Sequence, residues 1–141
     1  MRWLALLAAF SAALAVGGCA TEVGPSQTEL KTQWEAQNVY PGNYKQDLLA
    51  FLRTYLNDPT QIRGAAVAPP QRKTVGPAER YVVCVRYNAR NTDGRYVGPK
   101  DGAATYVSGK LDRFFDVPLE VREFCKDAAF APFPELEKLT R

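Results

Sequence analysis

Between Tyr81 and Asn88 the chain alternates two sets of side chains, Tyr81, Val83, Val85 and Tyr87 against Val82, Cys84, Arg86 and Asn88. A period of two is the pattern of a strand whose sets point to opposite sides of a sheet. Arg86 is therefore expected on the same side as Cys84. Downstream, the run from Asn88 to Gly94 carries Asn, Asn, Asp and Gly, residues that tolerate turn conformations, so the chain is expected to reverse and return through Arg95, Tyr96 and Val97. Asp101-Gly102 is a second turn signal. Ala103 to Ser108 reads as a strand, Gly109-Lys110 as a turn, and Leu111 to Val117 as a short strand or loop. Segments this close in sequence connect naturally as antiparallel hairpins.

The strongest helical signal precedes this region. Tyr44, Leu48, Leu49, Phe51, Leu52, Tyr55 and Leu56 recur at helical spacing, and Asp58-Pro59 stops the run. Asn43 with Gln46 three residues later has the form of a capping box. After the helix, Gln61 to Ala68 reads as a short strand and Gln71 to Ala78 as a basic loop containing Gly and Pro. Pro118 suits the first turn of a helix running to about Ala129, with Leu119, Val121, Phe124 and Cys125 as its buried face. Ala131 to Pro134 is expected to be extended, and Glu135 to Leu139 to hold one or two helical turns. The expected class is α+β: one main amphipathic helix on a three- to four-stranded antiparallel sheet, with a short C-terminal helical segment, all within a single domain over 43–141.

The N-terminus follows other rules. Met1-Arg2 precedes an apolar run from Trp3 to Val16, broken only by Ser11 and followed by Gly17-Gly18 and Cys19. That run is shorter than the roughly 20 residues a spanning helix needs. It has the outline of a signal peptide over 1–18. Val16-Gly17-Gly18-Cys19 resembles the lipobox of bacterial lipoproteins, which implies cleavage before Cys19 and a diacylglyceryl thioether on its sulfur. An uncleaved anchor, or a secreted protein with an incidental cysteine, are the alternatives. Ala20 stands where aspartate would resemble an inner-membrane retention signal, so the resemblance implies the outer membrane, facing the periplasm. Residues 19–42 are then expected to be the lipidated N-terminus and a flexible tether, whose part from Trp34 to Tyr40 either packs on the domain or forms a helical turn.

With Cys19 assigned to lipid, Cys84 and Cys125 remain, and in an oxidising compartment they are expected to pair. Such a bond contributes roughly 3 to 4 kcal/mol in the chain-entropy picture. A reactive thiol is the alternative, without a CxxC spacing to support it.

The sequence contains no histidine. Its absence removes the usual general base, the commonest zinc ligand and every Ser-His-Asp or Cys-His arrangement. Carboxylate chemistry is left, with Asp93 and Asp101 or Glu120 and Glu123 as pairs, although carboxylates three apart on a helix usually face solvent. No catalytic set, no cofactor and no metal site is expected. The formal net charge is +3, too small for a general attraction to nucleic acid. The charge is uneven: residues 53–113 carry a net +6, while 19–52 and 114–141 each carry −2. Arg86, Arg90, Arg95, Tyr96 and Lys100 are the candidate partner-binding residues. Together with Lys110, Arg113, Tyr87 and Tyr106 they form either a basic face for an anionic partner or a solvated sheet face.

The run from Val83 to Gly98, preceded by Leu56-Asn57-Asp58-Pro59, resembles a set of small, uncharacterised proteobacterial envelope proteins. These share a helix ending in Leu-x-Asp-Pro and a hairpin of the form Val-Cys-x-x-x-Asn-Ala-Lys-Asn-x-x-Gly-x-Tyr-x-Gly. Arg90 stands here where lysine is usual, and Val85 replaces a common glycine. The resemblance implies an extracytoplasmic helix-and-sheet module and carries over no catalytic residue. Two readings follow. One is a lipid-anchored, non-enzymatic envelope protein that presents a basic, tyrosine-bearing sheet to an envelope protein or an anionic cell-wall polymer. The other is a periplasmic inhibitor or small-ligand-binding lipoprotein.

Overall fold

The computed structural model describes residues 24–141. The signal peptide expected over 1–18 and the lipidation site Cys19 lie outside them. The elements in chain order are α1 (Gln27–Ala36), α2 (Tyr44–Tyr55), β1 (Asp58–Val67), β2 (Gln71–Val75), β3 (Ala78–Arg90), β4 (Lys100–Val107), β5 (Lys110–Phe115), α3 (Pro118–Cys125), β6 (Ala131–Pro132) and α4 (Pro134–Glu137). The class is α+β, with a six-stranded antiparallel sheet in the order β5-β4-β3-β1-β6 and β2 also paired to β3.

Strand β3 is long enough to serve three partners. Its first half pairs with β2, Ala78 opposite Val75 and Val82 opposite Gln71, and its second half pairs with β1. Its other edge takes β4 from Tyr81 opposite Tyr106 to Tyr87 opposite Lys100. β1 and β2 thus lie end to end along one edge, joined through Ala68, whose N–H donates to the carbonyl of Cys84 at 2.9 Å. The two-residue alternation expected of β3 is realised, with each set buried in its own cluster. Val83, Val85 and Tyr87 pack with Leu48 and Leu52 of α2 and with Phe133 and Leu136 near the C-terminus. Val82 and Cys84 pack on the opposite face with Ala103, Val121 and Cys125. Helices therefore cover both faces of the sheet.

The sheet exceeds the expected three to four strands because Gln71 to Val75, expected as loop, continues the ladder on β3, and Ala131–Pro132, expected only as extended chain, pairs with β1. Gly76, at φ +60°, supplies the turn into β3 that the expected loop was to provide. The expected tether is also more ordered: Ser26 and Glu29 form a capping box, Glu29 accepting from the Ser26 N–H at 2.6 Å, and α1 follows. This helix is held to the β2–β3 hairpin by Arg72, which donates to Glu35 at 2.7 Å, and by Arg80, which reaches the carbonyl of Trp34. Conversely, Asn43 makes no side-chain cap bond at the start of α2. Helix α3 stops at Cys125 rather than near Ala129, and Leu119 is 65% exposed instead of buried.

Cys84 and Cys125 are paired, with their Cα atoms 5.8 Å apart. The bond joins the middle of β3 to the last turn of α3. On the other face, Phe51, Tyr55 and Phe114 stack with ring centroids 4.9 to 5.1 Å apart. The Phe114 ring lies over Gly102, where an added Cβ would stand 2.2 Å from its Cζ. Glycine is thus required at this point of β4 for packing rather than for its dihedral freedom. Gly102→Ala should cost about 2 kcal/mol by overpacking, read as a fall of several degrees in Tm. An unchanged Tm would show that the aromatic stack is not tight against the sheet.

Candidate functional site

On the face that carries the disulfide, β4 and α3 bound an open cleft of about 770 Å³. Its charged lining is Arg86, Lys100, Asp101, Asp116, Arg122 and Lys126; Pro99, Pro118, Val121 and Cys125 supply the apolar part. The alternation of β3 puts Arg86 on this side, two residues beyond Cys84. Its register partner on β4 is Asp101, to which its Nε and an Nη donate at 2.6 and 2.9 Å. The guanidinium also lies 4.4 Å from the ring centre of Phe130. Arg86 is thereby fixed by two partners, Asp101 and Phe130, and the bond to Asp101 holds its pKa above the ordinary arginine value.

The second ion pair of the cleft belongs to a three-member group. The Lys100 ammonium donates to Asp116 Oδ2 at 3.2 Å, and the Tyr55 hydroxyl donates to the same oxygen at 2.6 Å. These bonds, Tyr55's first, hold the Asp116 carboxyl below the usual carboxylate range. In return, the Asp116 carboxylate pushes the Tyr55 hydroxyl up to about 12. The group links α2, β4 and the β5–α3 connection.

Arg122 and Lys126 stand apart from this pattern. Among the described residues neither has an ion-pair partner. They sit one turn apart beside the buried Val121 and Cys125, on the flank of α3 that faces the cleft. Neither was singled out from the sequence. The available signal was two cations at a spacing of four, each following a residue of the buried stripe.

The remaining candidates lie elsewhere. Arg90 is partly buried, paired with Asp58 at 2.5 Å and donating to Thr60 Oγ1 at 3.3 Å. Asp58 is itself held below its usual range, chiefly by bonds from Thr60. The Tyr96 hydroxyl donates to the Gln61 carbonyl at 2.5 Å, and Arg63 stacks 4.0 Å from the Tyr96 ring centre. Arg90 and Tyr96 thus tie the turn after β3 to β1. Arg95 is exposed and within 3.4 Å of Asp93. Tyr87 and Tyr106 are buried on the face opposite Arg86. The five candidates and these tyrosines therefore do not share one surface; only Arg86 and Lys100 meet in the cleft.

The carboxylates considered for chemistry are also separate or occupied. Asp101 is held by Arg86 and Asp93 by Arg95. Glu120 lines a different depression of about 390 Å³ near Trp34 and Phe124. Among the described residues no cluster of acids and cysteines is placed to hold a metal ion, and no helix is long and apolar enough to cross a membrane. No protein-family model, curated protein or solved structure matches the chain.

The Tyr55 shift fixes the sign of an alkaline response. Its folded pKa is raised, so the contribution is complete below the ordinary tyrosine value near 10 and is lost as pH climbs through about 12. The Tm difference between wild type and Tyr55→Phe should be level up to about pH 10 and shrink above it. A difference that stays constant across this window would show that the hydroxyl is not bonded to Asp116 in solution.

Proposed function

We propose that the chain is a lipid-anchored protein of the bacterial cell envelope with a binding rather than a catalytic role. Removal of residues 1–18 leaves Cys19 to carry the lipid at the periplasmic face of the outer membrane. The domain then meets an envelope protein or an anionic cell-wall polymer through the cleft between β4 and α3. No nucleic acid, cofactor or metal enters this reading.

The observation that carries it is the pairing of Cys84 with Cys125. Such a bond persists in an oxidising compartment, and it uses two of the three cysteines, leaving Cys19 for acylation. Several acyl chains at roughly 0.8 kcal/mol per methylene support stable anchoring. Helix α1 begins at Gln27, inside the stretch expected to be tether, which brings ordered structure to within eight residues of Cys19. The cleft itself favours the second reading, a small-ligand-binding or inhibitor lipoprotein. Its volume of about 770 Å³ lies within the size range of small-molecule sites.

Intact mass of the protein from membranes tests the compartment. The expected mass begins at Cys19 with added acyl chains, Cys84 and Cys125 alkylate only after reduction, and Cys19→Ala releases the protein from the membrane. An unacylated chain with free thiols would overturn both the anchor and the compartment.

A further inference from the structure

We infer that the cleft is a receptor site for a short peptide bearing two carboxylates, bridged by Arg122 and Lys126. The inference rests on the binding reading above but not on the anchor. Arg86 is neutralised by Asp101, and Lys100 shares Asp116 with Tyr55. Arg122 and Lys126 then supply the net charge of the lining, two positive charges without partners among the described residues. Like charges four apart on a helix repel. Their arrangement is relieved when an anion lies between them.

The geometry selects the ligand further. Positions one helical turn apart lie side by side on the helix surface, so the charged ends of Arg122 and Lys126 can each take one carboxylate of a glutamyl dipeptide. Pro99, Pro118 and Val121 give apolar contact to the segment between the charges. Asp101 and Asp116 share the cleft with the cations, which penalises a densely charged polyanion and offers acceptors to an ammonium. A peptide with two carboxylates and a free amino group meets all three conditions. Arginine suits a planar carboxylate through its paired donors, and lysine contributes a point charge.

The test uses the ¹⁵N-labelled protein purified from whole-cell extract in mild detergent, in whatever processed form the cell holds it, and titrated with alanylglutamate while its amide spectrum is followed. Shifts are expected at Lys100, Asp101 and Val121 to Lys126, and the diamide of the dipeptide should produce none. The double variant Arg122→Gln/Lys126→Gln should bind at least tenfold more weakly with the rest of its spectrum unchanged. Arg122→Lys/Lys126→Arg, which keeps both charges, should retain binding, so that a folding defect in the first pair is distinguished from loss of charge. Undiminished binding by the glutamine variant, tighter binding of pyrophosphate than of alanylglutamate, or no binding of any probe would overturn the peptide site. Conversion of the dipeptide during the titration, seen as new ligand resonances, would refute the binding-only reading and leave the site standing.

Discussion

Strand β3 must be satisfied on both edges and on both faces, and the rest of the domain is arranged around that requirement. An isolated hairpin is marginal in water, yet β3 has β1 and β2 in tandem on one edge and β4 along the other. Its two side-chain sets then need separate covers. Helix α2 and the Phe133–Leu139 segment close one face, and α3 closes the other. The covers are unequal. The α2 side fully buries large side chains such as Leu48, Leu52, Tyr106 and Phe133, whereas the fully buried residues of the α3 side are small, Ala68, Ala103, Val82 and Val121, and its large ones, Phe115, Phe124 and Phe130, are only partly buried. The disulfide sits on the weaker side.

This asymmetry explains where a cleft can exist. A face filled by large apolar side chains has no room for solvent or ligand, as the close approach of Phe114 to Gly102 illustrates. The α3 face is thinner, and its polar edge begins where β3 passes from Cys84 to Arg86. From that point the strand's positions on this face are polar, Arg86, Asn88 and Arg90, and Asp101 stands directly opposite Arg86. Cross-strand opposite-charge pairs of this kind stabilise a sheet modestly. Here the pair also orients the guanidinium over Phe130, so the cleft wall is preorganised before anything binds.

Much of this was legible in the sequence because it depends on periodicity. The alternation at Tyr81 to Asn88, the apolar stripe of α2 and the surplus pair of cysteines are local patterns that read directly into strand, helix and crosslink. The misreadings share a physical origin in tertiary pairing. Gln71 to Val75 carries Arg and Lys and lies between Pro70 and Gly76, so nothing local marks it as strand; it becomes one because β3 extends past β1 and leaves backbone groups to pair. Asn43 has the right side chain for a cap but is held at φ −100°, ψ 22°, by the Pro41-Gly42 turn before it. Ser26 and Glu29, by contrast, were a readable capping box inside a stretch too polar to attract notice. The dispersal of the basic residues is of the same kind. Arg90 and Tyr96 are consumed in fastening a turn, and the cleft cations without ion-pair partners among the described residues come instead from α3, in a segment whose net charge is negative.

The disulfide and the cleft are linked through the weakness of α3. Eight residues are too few for a helix to persist alone in water, where stability requires about 12 to 15, and only Val121 and Cys125 of this helix are buried. Pro118 presets its first turn but contributes no side chain to the core. Val121 and the half-buried Phe124, whose ring lies 5.1 Å from that of Phe115, offset only part of the entropy of ordering the segment, and the covalent bond to Cys84 adds to what this apolar area supplies. The same bond fixes the register of the helix, and with it the positions of Arg122 and Lys126 one residue beyond each buried neighbour. Reduction would therefore remove more than stability: it would free the wall that carries the unpartnered charges, while α2 and the opposite cluster remained packed. A domain built this way keeps the geometry of its charged cleft only while the crosslink is intact, so the cleft and the disulfide stand or fall together.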